Sequence, residues 1–141
     1  MLRLDITHSF EKVPEAGAEI VEHALKLTAA ELWGQIAREA PVDHGRLAGS
    51  FLIEQQSPLQ WMIYTLVEYA LAVHNGTAPH TIYPVNAKAL FWPGALHPVK
   101  KVNHPGTAAN PFAERAIDNT SARVDDFARI AVDEVMARYD L

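Results

Sequence analysis

Prolines partition this chain more sharply than any other residue. Six of the nine, Pro79, Pro84, Pro93, Pro98, Pro105 and Pro111, fall between positions 76 and 111. A proline removes a backbone donor and fixes φ at about −65°, so neither a long helix nor a long strand can run through that stretch. Two short strands fit, around Lys88 to Trp92 and Val99 to Asn103, with loops between them. The regular structure has to come from the flanks.

From Glu15 to Glu39, Ile20, Val21, Ala24, Leu25, Thr28, Leu32 and Ile36 recur at three- and four-residue steps, while Glu19, Glu22, Lys26, Glu31 and Arg38 take other faces. That spacing predicts a long amphipathic helix. Pro14 suits its first turn and Pro41 stops it, since the residue before a proline is pushed out of the α region. At the other end Asn110 and Pro111 supply a cap and a proline at the first helical position. Phe112, Ala116, Ile117, Val124, Phe127, Ala128, Ala131 and Val135 then mark a second long helix over about 111–139. Between residues 42 and 50, Asp43 and two glycines predict a turn followed by at most two helical turns. β-Branched and aromatic residues on either side of Gln56-Ser57-Pro58, from Phe51 and again from Trp61, read as a hairpin. Tyr69 to His74 is ambiguous between a helical turn and a strand, and Asn75-Gly76 closes it in a turn. At 141 residues the chain is the size of a single domain, 1–141. The expected fold is α+β: a helix at about 15–39, a small antiparallel sheet and loops at about 50–104, and a helix at about 111–139, with both terminal helices packed on one sheet face.

Composition narrows the chemistry. With 49% hydrophobic and 21% charged residues the chain can bury a core, and the absence of cysteine excludes disulfides, thiolate metal sites and cysteine nucleophiles. No apolar run approaches the roughly 18 residues of a membrane span, and the charged start lacks a signal-peptide core. A soluble, cytoplasmic protein with no membrane contact is expected. The net charge of −5 is unevenly spread. Residues 1–68 hold five cations and ten acids, residues 69–113 hold Lys88, Lys100 and Lys101 and no acid, and residues 114–141 hold four cations and seven acids. Opposite-sign surfaces of this kind favour docking a copy or a neighbour. Three lysines are too few for a dedicated nucleic-acid footprint.

No catalytic constellation stands out. His74, His80, His97 and His104 fall within 31 residues, but their spacing matches no zinc pattern and no carboxylate lies among them. They suit turn caps or a subunit contact better than a metal, with a three-histidine site assembled across loops as the alternative. Ser9, Ser50, Ser57 and Ser121 sit in no nucleophile elbow, and no phosphate-cradling glycine loop occurs. The pairs Asp125-Asp126 and Asp133-Glu134, with Arg123, Arg129 and Arg138 among them, read as a solvated helix face. No catalytic residue, metal ligand or cofactor is assigned. Trp61 belongs with the core and Trp92, beside Pro93 and Gly94, with an interface.

What remains is apolar. The segments Ala78 to Pro84, Phe91 to Pro98 and Val102 to Phe112 would leave Ile82, Tyr83, Phe91, Trp92 and Leu96 uncovered, and exposed apolar area marks a binding face. His74-Asn75-Gly76-Thr77-Ala78 and His104-Pro105-Gly106-Thr107-Ala108 also share His-x-Gly-Thr-Ala, thirty residues apart. They read as two independent turns in which glycine supplies a positive φ, because too few positions match for a duplication.

Four segments carry a resemblance. Ala40-Pro41 is followed by Gly45-x-Leu47-x-x-Ser50; Tyr69-Ala70 leads through Val73-His74 to Gly76-Thr77; Lys88-Ala89-Leu90-Phe91-Trp92 comes next; and His104-Pro105-Gly106-Thr107 precedes Pro111-Phe112. In this order they resemble the tail-completion or neck proteins of long-tailed double-stranded-DNA bacteriophages, also described as minor tail or head-tail joining proteins. His44 stands where that family more often has Thr or Ser. The resemblance spans residues 40–117 and implies a non-enzymatic structural protein of a virion or prophage, present in host cytoplasm during assembly. It implies a ring of six subunits at the top of the tail, joining it to the head connector. Its partners would be further copies of itself, a tail terminator, the tail tube and connector proteins, with viral DNA passing through the channel without specific binding. The contact residues would be His74, Gly76, Thr77, Phe91, Trp92, Lys100, Lys101, His104, Pro105, Gly106, Thr107, Pro111 and Phe112. The Phe91 to Pro98 segment and the His104 to Phe112 turn are expected to be loose in the isolated subunit and ordered on assembly. Two other readings stay open: a small histidine-based metal-dependent enzyme, and a prophage-borne nucleic-acid-binding protein.

Overall fold

The computed structural model of the protein describes residues 1–7, 15–42 and 45–139; Pro14, Asp43 and His44 lie outside them. In chain order the described elements are β1 (Leu2–Thr7), α1 (Glu15–Glu39), α2 (Gly45–Ala48), β2 (Leu52–Ser57), β3 (Gln60–Thr65), α3 (Ala70–Asn75), β4 (His80–Ile82), β5 (Val102–His104), α4 (Phe112–Ser121) and α5 (Val124–Arg138). The class is α+β, and every ladder is antiparallel. Two compact units form, Met1–Ala70 with Pro111–Leu141, and Leu71–Asn110.

In the first unit the hairpin β2–β3 is joined by β1 to give the order β1-β3-β2. β1 is an addition to the sequence reading. Its signal is the alternation of Leu2, Leu4 and Ile6 with Arg3, Asp5 and Thr7, but its partner β3 lies almost sixty residues away, with Leu4 opposite Ile63. Ile63 is buried at the centre of this sheet. α1 buries Leu25, Ala29, Leu32 and Ile36, and its main neighbours are α5 and α4, with lesser contacts to β2 and β3. The terminal helices flank the small sheet as expected, and α4 and α5 in addition pack closely on α1. α1 carries an apolar stripe wide enough to meet the sheet on one side and a helix pair on another, and the wholly buried Ala29, Ala116 and Ala131 let the helices approach closely.

The expected second long helix is two. α4 ends at Ser121 and α5 starts at Val124, with Arg123 bonding back to Thr120 O at 2.9 Å in a tightened last turn. Asp118-Asn119-Thr120-Ser121 explains the break, because short polar side chains compete with the backbone for its hydrogen bonds. Thr120 does so directly, donating to Ala116 O at 2.8 Å. Pro111 occupies the position before the first helical residue, one step earlier than expected, with φ −75°.

Charged residues of α1 hold the break in place. Glu31 accepts from Gln35 at 2.9 Å, Arg38 at 3.2 Å and Arg123 at 3.0 Å. The Gln35 hydrogen bond is the main cause holding its carboxyl below the ordinary value of 4.5; Arg123 and Arg38 act in the same sense and partial burial opposes them. A depressed carboxylate contributes stability above the unfolded value and loses it as pH falls through the folded one. Glu31→Gln should therefore lower the urea midpoint at neutral pH, with the gap to the natural protein closing below pH 4.5. A gap that persisted unchanged into acid would exclude this ion-pair contribution.

The first of the resembling segments also has a structural role here. Leu47 is fully buried, and Ser50 donates to Leu47 O at 2.7 Å while its oxygen lies 2.6 Å from the hydroxyl of Thr65. Thr65, itself buried, accepts from Val67 N–H at 3.2 Å. Leu47 and Ser50 thus tie the short α2 turn to the end of β3.

Candidate functional site

The second unit is built without a core. All of its residues are described, and none from Leu71 to Asn110 is buried. Backbone pairing holds it instead. β4 and β5 pair with His80 opposite His104 and Ile82 opposite Val102, and three residues further along, in the same register, Thr77 faces Thr107. The expected strand at Lys88 to Trp92 is reduced to a single bridge, Leu90 to Val99, and the second strand shifts to Val102–His104. Prolines on both sides prevent longer ladders.

The two Gly-Thr turns, read from sequence as independent, form one site. Thr77 N–H donates to Thr107 O at 2.9 Å and Thr107 N–H to Thr77 O at 3.0 Å. Because residues 77 and 107 face each other across an antiparallel pair, a local two-fold relates Gly76-Thr77 to Gly106-Thr107, thirty residues later; it does not extend to the histidines, since His74 lies in α3 and His104 in β5. Each glycine lies flat on the other turn. A Cβ on Gly76 would stand 2.6 Å from Thr107 O, and one on Gly106 would stand 2.3 Å from Thr77 O. Both have positive φ, +74° and +86°. Only glycine satisfies the close approach and the left-handed backbone together. With proline before it, Gly106 fits the type II turn, which needs positive φ at its third position. The turn is closed by the side chain of His104, whose Nδ1 accepts from Gly106 N–H at 3.0 Å.

Two of the histidines, His80 and His104, serve this ribbon. His80 stacks on His104 with centroids 5.0 Å apart and donates from Nδ1 to Ala78 O at 2.8 Å. His74 Nδ1 lies 2.7 Å from Asn75 Oδ1, and His97 Nδ1 lies 3.2 Å from Pro98 O. Among the described residues no group of three or more His, Asp or Glu side chains is brought together to hold a metal.

Beside the ribbon is an apolar groove of about 330 Å³ lined by Ile82, Leu90, Phe91, Trp92 and Val102. From it a loop projects, turned by Trp92-Pro93-Gly94-Ala95 with Ala95 N–H on Trp92 O at 3.0 Å and Gly94 at φ +93°. Its apolar side chains face solvent: Phe91 is 67% exposed, Trp92 46% and Leu96 99%, and the neighbouring Tyr83 is 61% and Val85 91% exposed. Lys88, Lys100 and Lys101 are exposed as well, and none of the 17 acids lies in this unit.

The sequence-assigned contact residues therefore separate into three groups. Gly76, Thr77, His104, Pro105, Gly106 and Thr107 form the ribbon and its paired turns, and His74 lies in α3 just before them. Phe91, Trp92, Lys100 and Lys101 lie on exposed surface of the same unit. Pro111 and Phe112 belong to the first unit, where Phe112 is fully buried and meets Phe51 edge-on at 5.9 Å. Its side chain serves that core and presents nothing to a partner. Sequence reasoning missed Val85, whose signal was an apolar residue stranded between Pro84 and Asn86. Among the described residues no helix is long and apolar enough to cross a membrane. No family model matches the chain, and neither a curated protein nor a solved structure matches it.

Proposed function

We propose that this chain is a non-enzymatic structural protein of a bacteriophage or prophage virion, forming a ring at the top of the tail that completes it and joins it to the head connector. One observation carries the reading: the unit from Leu71 to Asn110 buries no residue, yet holds Phe91, Trp92 and Leu96 out on an acid-free surface. Such a surface stays soluble but gains most when another polypeptide covers it. The Gly-Thr turns support the same reading, since they stiffen the base from which the loop projects and reduce the ordering cost of docking. The order of the segments between Ala40 and Phe112 supplies the assignment to tail completion.

Deleting the gene should leave filled heads and finished tails accumulating separately in electron micrographs, and adding the purified protein to that lysate should restore joined particles. Normal particles without the gene would overturn the reading.

A nucleic-acid-binding role is the second reading, favoured by Lys88, Lys100 and Lys101 together with the exposed rings of Tyr83, Phe91 and Trp92. If three phosphates are neutralised, log K should fall against log salt with a slope of about −2 to −3. The neck reading expects no measurable DNA affinity for the isolated subunit.

A further inference from the structure

Resting on that reading, we infer that the Phe91 to Pro98 loop of one copy docks into a groove on the first unit of the next. That groove, about 300 Å³, lies where β1, α1 and the α4–α5 junction meet, and it is lined by the apolar Leu4, Leu32, Ile117 and Val124 together with Asp5, Ser121 and two threonines. Ile117 is 39% and Val124 41% exposed, and the two lie together on the groove wall.

The groove is suited to an apolar guest. Its two threonines, Thr28 and Thr120, donate their hydroxyls to carbonyls of their own helices, Ala24 O and Ala116 O, both at 2.8 Å. An apolar occupant therefore strands neither donor. Volume points the same way, since the space is at the small end of ligand pockets and accepts side chains rather than a large cofactor.

Charge selects a second copy as the occupant. The loop belongs to a unit with three lysines and no acid, while all 17 acids belong to the unit that carries the groove. Asp5 lines the groove, and Asp125 and Asp126 follow directly on Val124 in the first turn of α5. The cations nearby are engaged within their own chain: Arg3 pairs with Asp5 at 3.0 Å, and Arg123 pairs with Glu31 at 3.0 Å and lies 5.1 Å above the ring of Phe127. Asp5 and Asp126 are themselves paired with Arg3 and Arg129, so lysines arriving beside an incoming Trp92 or Leu96 are attracted by the groove-bearing unit's excess of 17 acids over nine Lys and Arg. The two patches differ, so a contact made once per subunit is head-to-tail and builds a ring or an open filament; a reciprocal exchange of loops would instead stop at a dimer, which the mass of the natural assembly tells apart.

The test uses that asymmetry. One variant, Trp92→Asp with Leu96→Asp, removes the projecting loop's grip; the other, Ile117→Lys, closes the groove, with Val124→Lys as a second version should the first fold poorly. Circular dichroism checks the fold of each. In sedimentation equilibrium the natural protein should gain mass with concentration, and each variant alone should associate about tenfold or more weakly. An equimolar mixture should form a one-to-one dimer and nothing larger, because each chain retains the half that the other lacks. The inference is overturned if the mixture stays monomeric, if either variant assembles like the natural protein, or if the natural protein is monomeric at every concentration. Any of these outcomes with a chain that still restores joined particles rejects the self-docking and leaves the tail-completion role standing; loss of that role is read separately, from particles that join without the gene.

Discussion

Gly106→Val should unpair the ribbon of the second unit while leaving the first unit folded. A left-handed backbone costs a residue with a side chain about 1–2 kcal/mol, more when it is β-branched. Steric overlap is the larger effect. The new Cβ would lie 2.3 Å from Thr77 O and 2.9 Å from the carbonyl carbon of Ala78, both backbone atoms that cannot swing away as a side chain could. Relief requires the two turns to part, and the reciprocal bonds between Thr77 and Thr107 part with them. In hydrogen exchange, the amides of Thr77 and Thr107 should lose their protection, while amides of α1 keep theirs. Gly76→Ala should do the same from the other side, since its Cβ would meet Thr107 O at 2.6 Å. Gly94→Ala separates strain from overlap: φ is +93° there but nothing lies within 4 Å, so only local strain is expected and the Thr amides stay protected. Protected Thr77 and Thr107 amides in Gly106→Val would mean that the paired turns are not what holds this unit.

Phe112→Ala should be the most destabilising single truncation in the first unit, at about 3–5 kcal/mol. The ring is fully buried and meets Phe51 edge-on at 5.9 Å with an interplanar angle of 73°, an aromatic pair that adds about 0.5–1.5 kcal/mol to the area it buries. Against a typical total of about 5–15 kcal/mol, that loss removes a large share of stability. Guanidinium unfolding should show the midpoint falling with an unchanged slope. Phe91→Ala, at a ring 67% exposed, should stay within about 0.5 kcal/mol of the natural protein. The pair of measurements distinguishes the two phenylalanines: one acts through folding, the other only when a partner arrives. A small effect at Phe112 would return it to the contact surface that the resemblance implied.

How much was legible in the sequence follows from the range of the interactions involved. α1 was legible to the residue, because its apolar spacing repeats within seven positions and its stop is a proline next door. The exposure of Tyr83, Phe91, Trp92 and Leu96 was legible too, since a proline-dense stretch has no regular element with which to cover them. The break between α4 and α5 was written in Asp118-Asn119-Thr120-Ser121 but masked by apolar residues that keep their period across it.

Composition and periodicity alone determined that this protein is α+β, that its regular structure sits at the flanks, and that its acid-free middle shows apolar side chains to solvent. Only the tertiary structure decided that β1 completes the sheet, that α4 and α5 rest on α1, that Phe112 lies in the core, and that the two Gly-Thr turns are halves of one device. The difference is physical. A helix repeats its pattern within one or two turns, whereas a strand's partner, a buried ring's neighbour and a glycine's contact across a ribbon are chosen by residues thirty to sixty positions away, and local sequence holds no record of which ones they are.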